Sequence, residues 1–574
     1  MRRPAPAALA AAAVALQVAL AVSAMRGNSA TFDEGAHLPA GWTHMALGDH
    51  RLNPEQPPLL KLLAAAPLAL VHPVVHTDDP AWVEARQWEF GRRFLYRWND
   101  GSRLLFLARL PIVALAAVLV LAVFLEARRR FGATAGVAAA VLAALSPDVL
   151  AHGSLVTTDL GFALFFFLAV VFFARTLERP GAVALLACGL FTGAAFAAKF
   201  SAPALALVLL LMAAVAALRR RLSTPRAATQ DLTPARAAGA LLAVGAVTLV
   251  VVWASYGFRH DLSPDPAARA AGRAALEQQV ASLPLRAVVA AADAGLVPED
   301  YARGLLFVMT HSQARPTFLL GTLSDHPLPG YFLVTFLLKT PVPLLLLAAM
   351  ALVRIPRLSA RDALFLWLPV LVYAVATAAR GLEIGHRHLL PVYPFLFLAA
   401  GEAAARLLPW RRPAGAVLVA LLGGWLAFGT LRTHPHHLAY FNELAGGPAN
   451  GWRLLVDSNL DWGQDLGRLA RWTRENGVAH LKLSYFGSAD PGYYGLDADM
   501  LPGYTAPHPP HLIRDIVPGD VVAVSVTNLQ GVYLEPEDRP LMEALRALPP
   551  VGRAGWSIRI YRPPFRWPPP EPRP

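Results

Sequence analysis

Long apolar runs, separated by short polar connections rich in arginine, set the pattern of the chain. Eleven such runs lie near 5–25, 104–126, 134–151, 160–177, 182–198, 202–218, 237–257, 331–353, 362–379, 389–407 and 414–431. Each is close to the about 20 residues that cross a hydrocarbon core roughly 30 Å thick. Backbone in lipid has to satisfy its own hydrogen bonds, so each run predicts a helix. The expected fold class is mainly α: a polytopic membrane protein with about eleven transmembrane helices over residues 1–431.

Three connections are long. The first, near 26–103, starts polar and then holds Pro57-Pro58-Leu59-Leu60-Lys61 with an apolar stretch to about Leu70. That stretch is too short to span and predicts a helix lying at the interface. The second, near 258–330, mixes an Ala-rich helical pattern with Pro and Gly. The third, 432–574, predicts a small α/β domain. Its runs 481–486, 521–526 and 556–561 are rich in β-branched and aromatic residues and predict strands, while Leu466 to Thr473 predicts a helix. Its last dozen residues are Pro-rich.

Charge sets the orientation. With a cytoplasmic N-terminus, the cytoplasmic connections carry Arg128-Arg129-Arg130, Arg175 with Arg179, Arg219-Arg220-Arg221 with Arg226 and Arg236, Arg354 with Arg357 and Arg361, and Arg406 with Arg411-Arg412. The short outer connections carry Lys199, Arg380 and Arg387 between them. This positive-inside bias places the C-terminal domain outside the cytoplasm, in a plasma (inner) membrane protein. Arg2-Arg3, the apolar stretch and Val22-Ser23-Ala24 also fit a secretory signal peptide. The length of the stretch favours an uncleaved span, and either reading leaves residue 30 outside.

Composition agrees. The 574 residues are 55% hydrophobic and 16% charged, with mean hydropathy +0.43, against about 25% charged in soluble domains. The net charge of +12 sits in the loop arginines rather than on one face, which argues against nucleic acid as a partner. Cys188 is the sole cysteine, so no intrachain disulfide forms.

Ionisable groups near lipid are costly, and each is a candidate for function. Asp33 and Glu34 lie just outside the first run, in Thr31-Phe32-Asp33-Glu34-Gly35-Ala36-His37. They suit a general base on an acceptor hydroxyl, or an N-cap and acidic first turn; the local sequence leaves both open. Asp159 opens the fourth run, again as substrate-facing acid or cap. Lys199, Lys339 and Arg387, the last flanked by His386 and His388, are placed to meet a phosphate at headgroup level; snorkelling to the interface is the alternative. His434, His436 and His437 lack spaced carboxylates for a metal site. Asp457, Asp461 and Asp465 are assigned to the loop and start of the tail helix. No Walker loop, dinucleotide fingerprint or serine elbow is present. Asp33, Glu34, Asp159, Lys199, Lys339 and Arg387 nevertheless share one side by a topology count that did not use them.

Phe32-Asp33-Glu34 with His37 resembles the acidic motif in the first external loop of protein O-mannosyltransferases. Gln56-Pro57-Pro58-Leu59-Leu60-Lys61 is similar to the His-Pro-Pro-Leu-Gly-Lys pattern that follows it there. Glu55-Gln56-Pro57-Pro58 resembles the Glu-Lys-Pro-Pro stretch of aminoarabinose transferases. Asp159 resembles that superfamily's second external Asp. The tail string Tyr440-Phe441-Asn442-Glu443-Leu444, continuing through Asp457-Ser458-Asn459-Leu460-Asp461-Trp462-Gly463-Gln464-Asp465, is similar to bacterial phospholipid-carrier-dependent glycosyltransferases.

The resemblance implies a GT-C fold, with a polyprenyl-phosphate sugar as donor and a lipid, glycan or protein hydroxyl as acceptor. It makes Asp33 the general base and lets Glu34 and Asp159 shape the site or hold the acceptor. Arg387, Lys199, Lys339 and Lys61 become the donor-phosphate cations, and His37, Glu55, His386 and His388 substrate contacts. Gln56 replaces the family lysine before Pro-Pro, so no phosphate role carries over to that position. No cofactor follows; Glu55 matches a position that meets zinc in some relatives, and a divalent metal is compatible with the site but not required. The competing expectation is a transporter or flippase of lipid-linked sugars, which calls for charge near mid-membrane and paired halves.

Overall fold

The computed structural model describes residues 5–222, 233–261, 263, 265–267, 270, 274, 283–311, 315–408 and 413–569. Arg226, Arg411, Arg412, part of the 258–330 connection and residues 570–574 of the Pro-rich tail lie outside the described residues.

Helices Pro6–Met25, Gly101–Phe131, Asp159–Glu178, Pro234–Ser255, Ala360–Ala378, His386–Leu407 and Pro413–Thr433 are each long and apolar enough to cross a bilayer. Tyr331–Lys339 and Val342–Val353 reach that length and apolarity only as a pair, and the chain turns by 117° between them at Thr340-Pro341, the geometry of a broken span or a re-entrant loop. Three expected spans are shorter apolar helices: Ala133–Ala144, Ala182–Phe196 and Pro203–Arg219. The run 134–151 is interrupted because Pro147 disfavours the helical region for the residue before it; Ser146 takes ψ 121° and a separate turn, Pro147–His152, follows.

The first external connection folds against the bundle. Helix Glu34–Leu47 packs on Leu59–Ala65, which tightens into a 3₁₀ turn over Ala66–Leu70. It also packs on helix Gln87–Tyr96. The approach is close: a Cβ on Gly91 would lie 1.9 Å from the Gly35 carbonyl oxygen, and one on Gly41 2.3 Å from that of Lys61.

Helix Gly101–Phe131 organises both ends of the bundle. Near its end, buried Glu126 pairs with Arg129, Arg130 and Arg175. Near its start, Arg109 pairs with Glu34. The arginine-rich connections and the acidic motif therefore sit at opposite ends of this helix.

Strands β1 (Thr317–Leu319) and β2 (Thr322–Ser324) form a hairpin in the second connection. The tail sheet has the order β4-β3-β5-β7-β6, from β3 (Leu481–Ser484), β4 (Ala498–Met500), β5 (Val522–Ser525), β6 (Gly552–Ala554) and β7 (Ile558–Tyr561). The three predicted strands form its centre. Side chains alternate across β5: Ala523 joins the cluster containing helix Leu466–Glu475 and the membrane helices, while Val522 and Val524 join helix Arg539–Arg546. One face of the tail sheet thus continues the hydrophobic core of the bundle.

Candidate active site

The acidic motif separates into two residues with different tasks. Glu34 is fully buried, and its carboxylate accepts from Arg109 Nε (2.8 Å) and Nη2 (2.6 Å), Thr31 N (2.8 Å) and Oγ1 (3.0 Å), and Val156 N (2.9 Å). Burial pushes its pKa up, but the Arg109 charge and these bonds outweigh that and hold it below the ordinary value. Both Glu34 oxygens are thus taken up by protein donors, from Arg109, Thr31 and Val156. Arg109, an isolated charge in an apolar run, went unremarked in the sequence although its cost in lipid marked it.

Asp33 begins the same helix without capping it, and its side chain keeps 25% of its exposure. Its partner is Arg387, whose Nη1 donates to Asp33 Oδ2 at 2.8 Å and to Asp159 Oδ2 at 3.3 Å. Asp159 is buried, and its other oxygen meets the Lys199 ammonium. Four groups named from sequence, drawn from positions 33, 159, 199 and 387, thus form one chain of alternating charge: Asp33, Arg387, Asp159, Lys199. Arg387 lies on the indole of Trp462, 4.2 Å from the ring centroid. Its Nε is buried without a partner among the described residues.

The remaining candidates fall elsewhere. Lys339 does not face the acids. Its Nζ donates to the carbonyls of Leu438 (2.8 Å) and Asn459 (2.6 Å) and lies 4.5 Å from the Phe441 ring centroid. It fastens the tail to the bent helix, because a cation in that apolar run is satisfied by the nearest backbone oxygens. Lys61 Nζ donates to the backbone oxygen (2.8 Å) and Oδ1 (3.2 Å) of Asn53. His37 is buried, with Nδ1 3.0 Å from the Val156 oxygen, and burial lowers its pKa. His386 packs behind the site, its Nε2 2.5 Å from Tyr393 Oη, which also meets Thr340 Oγ1 at 2.6 Å. His388 is flanked by the Phe332 ring, and its Nε2 has no partner among the described residues. Glu55 accepts from Gln87 Nε2 (2.6 Å) and Asn53 Nδ2 (2.9 Å). Among the described residues, three side chains suited to a common metal ion converge at His260, Asp261 and Glu299, a largely exposed group that does not include Glu55.

Residues 101–253 match a family model described as dolichyl-phosphate-mannose-protein mannosyltransferase. Over that segment the chain is similar to this glycosyltransferase family. The matched segment holds Asp159, Lys199 and Arg109; Asp33 and Arg387 lie before and after it. The whole chain is similar to ArnT from Cupriavidus metallidurans, solved bound to undecaprenyl phosphate, at 14% identity over 96% of this chain and 97% of that one, with TM-score 0.49. The apo form of that protein gives 14% identity over the same shares and 0.48. The oligosaccharyltransferase from Archaeoglobus fulgidus, solved with zinc and sulfate, gives 13% identity over 93% of this chain and 70% of that one, with TM-score 0.44. No curated protein matches the chain.

Proposed function

We propose that this protein transfers a glycosyl group from a polyprenyl-monophosphate sugar to an acceptor hydroxyl, on the extracytoplasmic face of the plasma membrane. The observation that carries this reading is the single Arg387 nitrogen shared by partly open Asp33 and buried Asp159, with Lys199 closing the chain of charge. A phosphodiester donor entering from the bilayer competes for Arg387 and so frees Asp33. Asp33 then takes the acceptor proton as the acceptor oxygen bonds to the anomeric carbon. The bond from that carbon to the phosphate oxygen breaks, and the polyprenyl phosphate leaves with one further negative charge, which Arg387 and Lys199 stabilise. The leaving group needs no proton, so a general acid is not called for, unlike the paired carboxylates of glycosidases. Asp159 keeps the two cations apart and aligned, which suits a buried carboxylate with a cation on each oxygen.

The match of residues 101–253 to a model described as dolichyl-phosphate-mannose-protein mannosyltransferase supports a lipid-phosphate donor. The acceptor is a hydroxyl on a lipid, glycan or protein. Residues 432–574 are proposed to act with the membrane helices rather than as a separate receptor domain.

Asp33→Asn keeps the shape of the side chain and removes the base. We expect a loss in transfer of about a hundredfold or more, the usual scale for a general base, with normal expression and melting temperature. The readout is mass spectrometry of envelope glycans and polyprenyl-linked sugars in a deletion strain complemented with each form. Transfer at the normal rate would remove Asp33 from the role.

A further inference from the structure

The tail segment between Val456 and Gly467 touches both sides of the charge chain. From Trp462, the backbone oxygen accepts from Phe32 N at 2.7 Å, one residue before Asp33, while the indole carries Arg387 at 4.2 Å. Gln464 Oε1 fixes Trp462 N at 2.8 Å, and the Gln464 backbone oxygen accepts from Ser29 N at 3.0 Å. On the other side, Asn459 Oδ1 accepts from His386 N at 2.8 Å, and Ser458 Oγ donates to the Ile384 oxygen at 2.7 Å. Gly385 lies so close that a Cβ there would be 2.1 Å from Ser458 Oγ. The loop carrying Arg387 and the loop carrying Asp33 are thus both hydrogen-bonded to one short stretch of the tail.

Both acids meet Arg387 through Nη1, which leaves Nε without a partner. The Nε side of a guanidinium is one arm of the fork that binds two phosphate oxygens, and its direction is set by the plane of the group. Nη1 holds one edge of the group through the two acids, and the indole, 4.2 Å from the guanidinium carbon, supports its face.

We propose that Trp462 is a positioning residue of the transfer reaction, holding Arg387 and the Phe32-Asp33 step in register so that the tail completes the phosphate site. The inference rests on the transferase reading above.

Full-length protein in lipid nanodiscs, titrated with undecaprenyl phosphate, tests it. Trp462→Leu should weaken binding by about thirtyfold, the scale of a desolvated cation–π contact. Arg387→Ala should weaken it at least as much, and the double variant should bind no worse than Arg387→Ala alone, because the two residues act as one unit. Tryptophan analogues bearing one, then more, ring fluorines at position 462 keep the shape and drain the ring face. Affinity should fall stepwise across that series while the melting temperature stays level, which a purely structural role for the indole would not produce. Additive losses in the double variant overturn the proposal. A flat fluorine series does so too, and it decides the matter if Trp462→Leu does not fold. Normal binding by Arg387→Ala would bring down the transferase reading and this inference together, whereas normal binding by Trp462→Leu beside a weakened Arg387→Ala removes the inference alone.

Discussion

A guanidinium left unpaired at membrane depth costs several kcal/mol, so Arg109 and Glu34 hold each other in place. Three backbone oxygens, those of Met25, Asn28 and Ser29, accept from the same Arg109 and tie the end of the first helix to it. Arg109→Leu should destabilise the protein by about 3–5 kcal/mol, since it leaves a carboxylate buried alone. Thermal unfolding of purified protein measures it, and an unchanged midpoint would contradict the pairing. Asp461 presents the opposite case. It is buried in the tail with Oδ2 bonded to Thr527 N at 3.0 Å and Oδ1 unpartnered, and burial pushes its pKa up to about 8. The folded state therefore holds this proton where the unfolded chain, with a carboxyl near 4, has lost it. The stability it contributes is complete below pH about 4 and falls as pH rises to about 8. Asp461→Asn should flatten that decline, raising the melting temperature more at pH 8 than at pH 5; equal shifts at both would refute the assignment.

Elements in this chain were legible where a cost could be seen in the sequence. An apolar run with no charge announces a helix in lipid, and the acid or base that interrupts one announces a partner. On that ground Asp159, Lys199 and Arg387 could be named. Trp462 and Gln464 could not, because an indole or amide in a soluble-looking tail violates no rule and their partners lie far away in sequence. Lys339 lies apart from that chain of charge, and its cost is met by carbonyls that composition does not reveal. Strands β3, β5 and β7 carry β-branched centres and were visible; β4 and β6 are three-residue edges whose pairing alone defines them. Helix Gln87–Tyr96 can seat on Glu34–Leu47 because Gly91 meets Gly35. Gly91→Ala forces backbone apart and should lower transfer and yield together, whereas Gly239→Ala, with open space around it, should leave both intact. Equal behaviour of the two variants in a solubilisation and activity assay would contradict the packing account.

Across the whole molecule, the two polar ends of helix Gly101–Phe131 define a direction. Glu126 and its arginines mark one end and the Asp33 to Lys199 chain the other. The positive-inside bias predicts that the first faces the cytoplasm. A reporter enzyme active only outside the cytoplasm, inserted at the exposed turn of Gly477, should be active, and one inserted beside Gly132 should be silent. The reverse result would invert the orientation and move the proposed reaction to the other face.

The bent helix carries one more implication. Its break exposes carbonyls that a continuous helix would have used, and Asn442 takes them up: Nδ2 donates to the oxygens of Leu337 (2.5 Å) and Thr340 (2.7 Å), and its own N–H to that of Leu338 (3.0 Å). The staple for this break is therefore encoded about a hundred residues downstream of it. During biosynthesis the segment enters the translocon before the residue that seals it has been made. Until translation passes Asn442, the carbonyls of Leu337, Leu338 and Thr340 lack the partner they have in the folded protein.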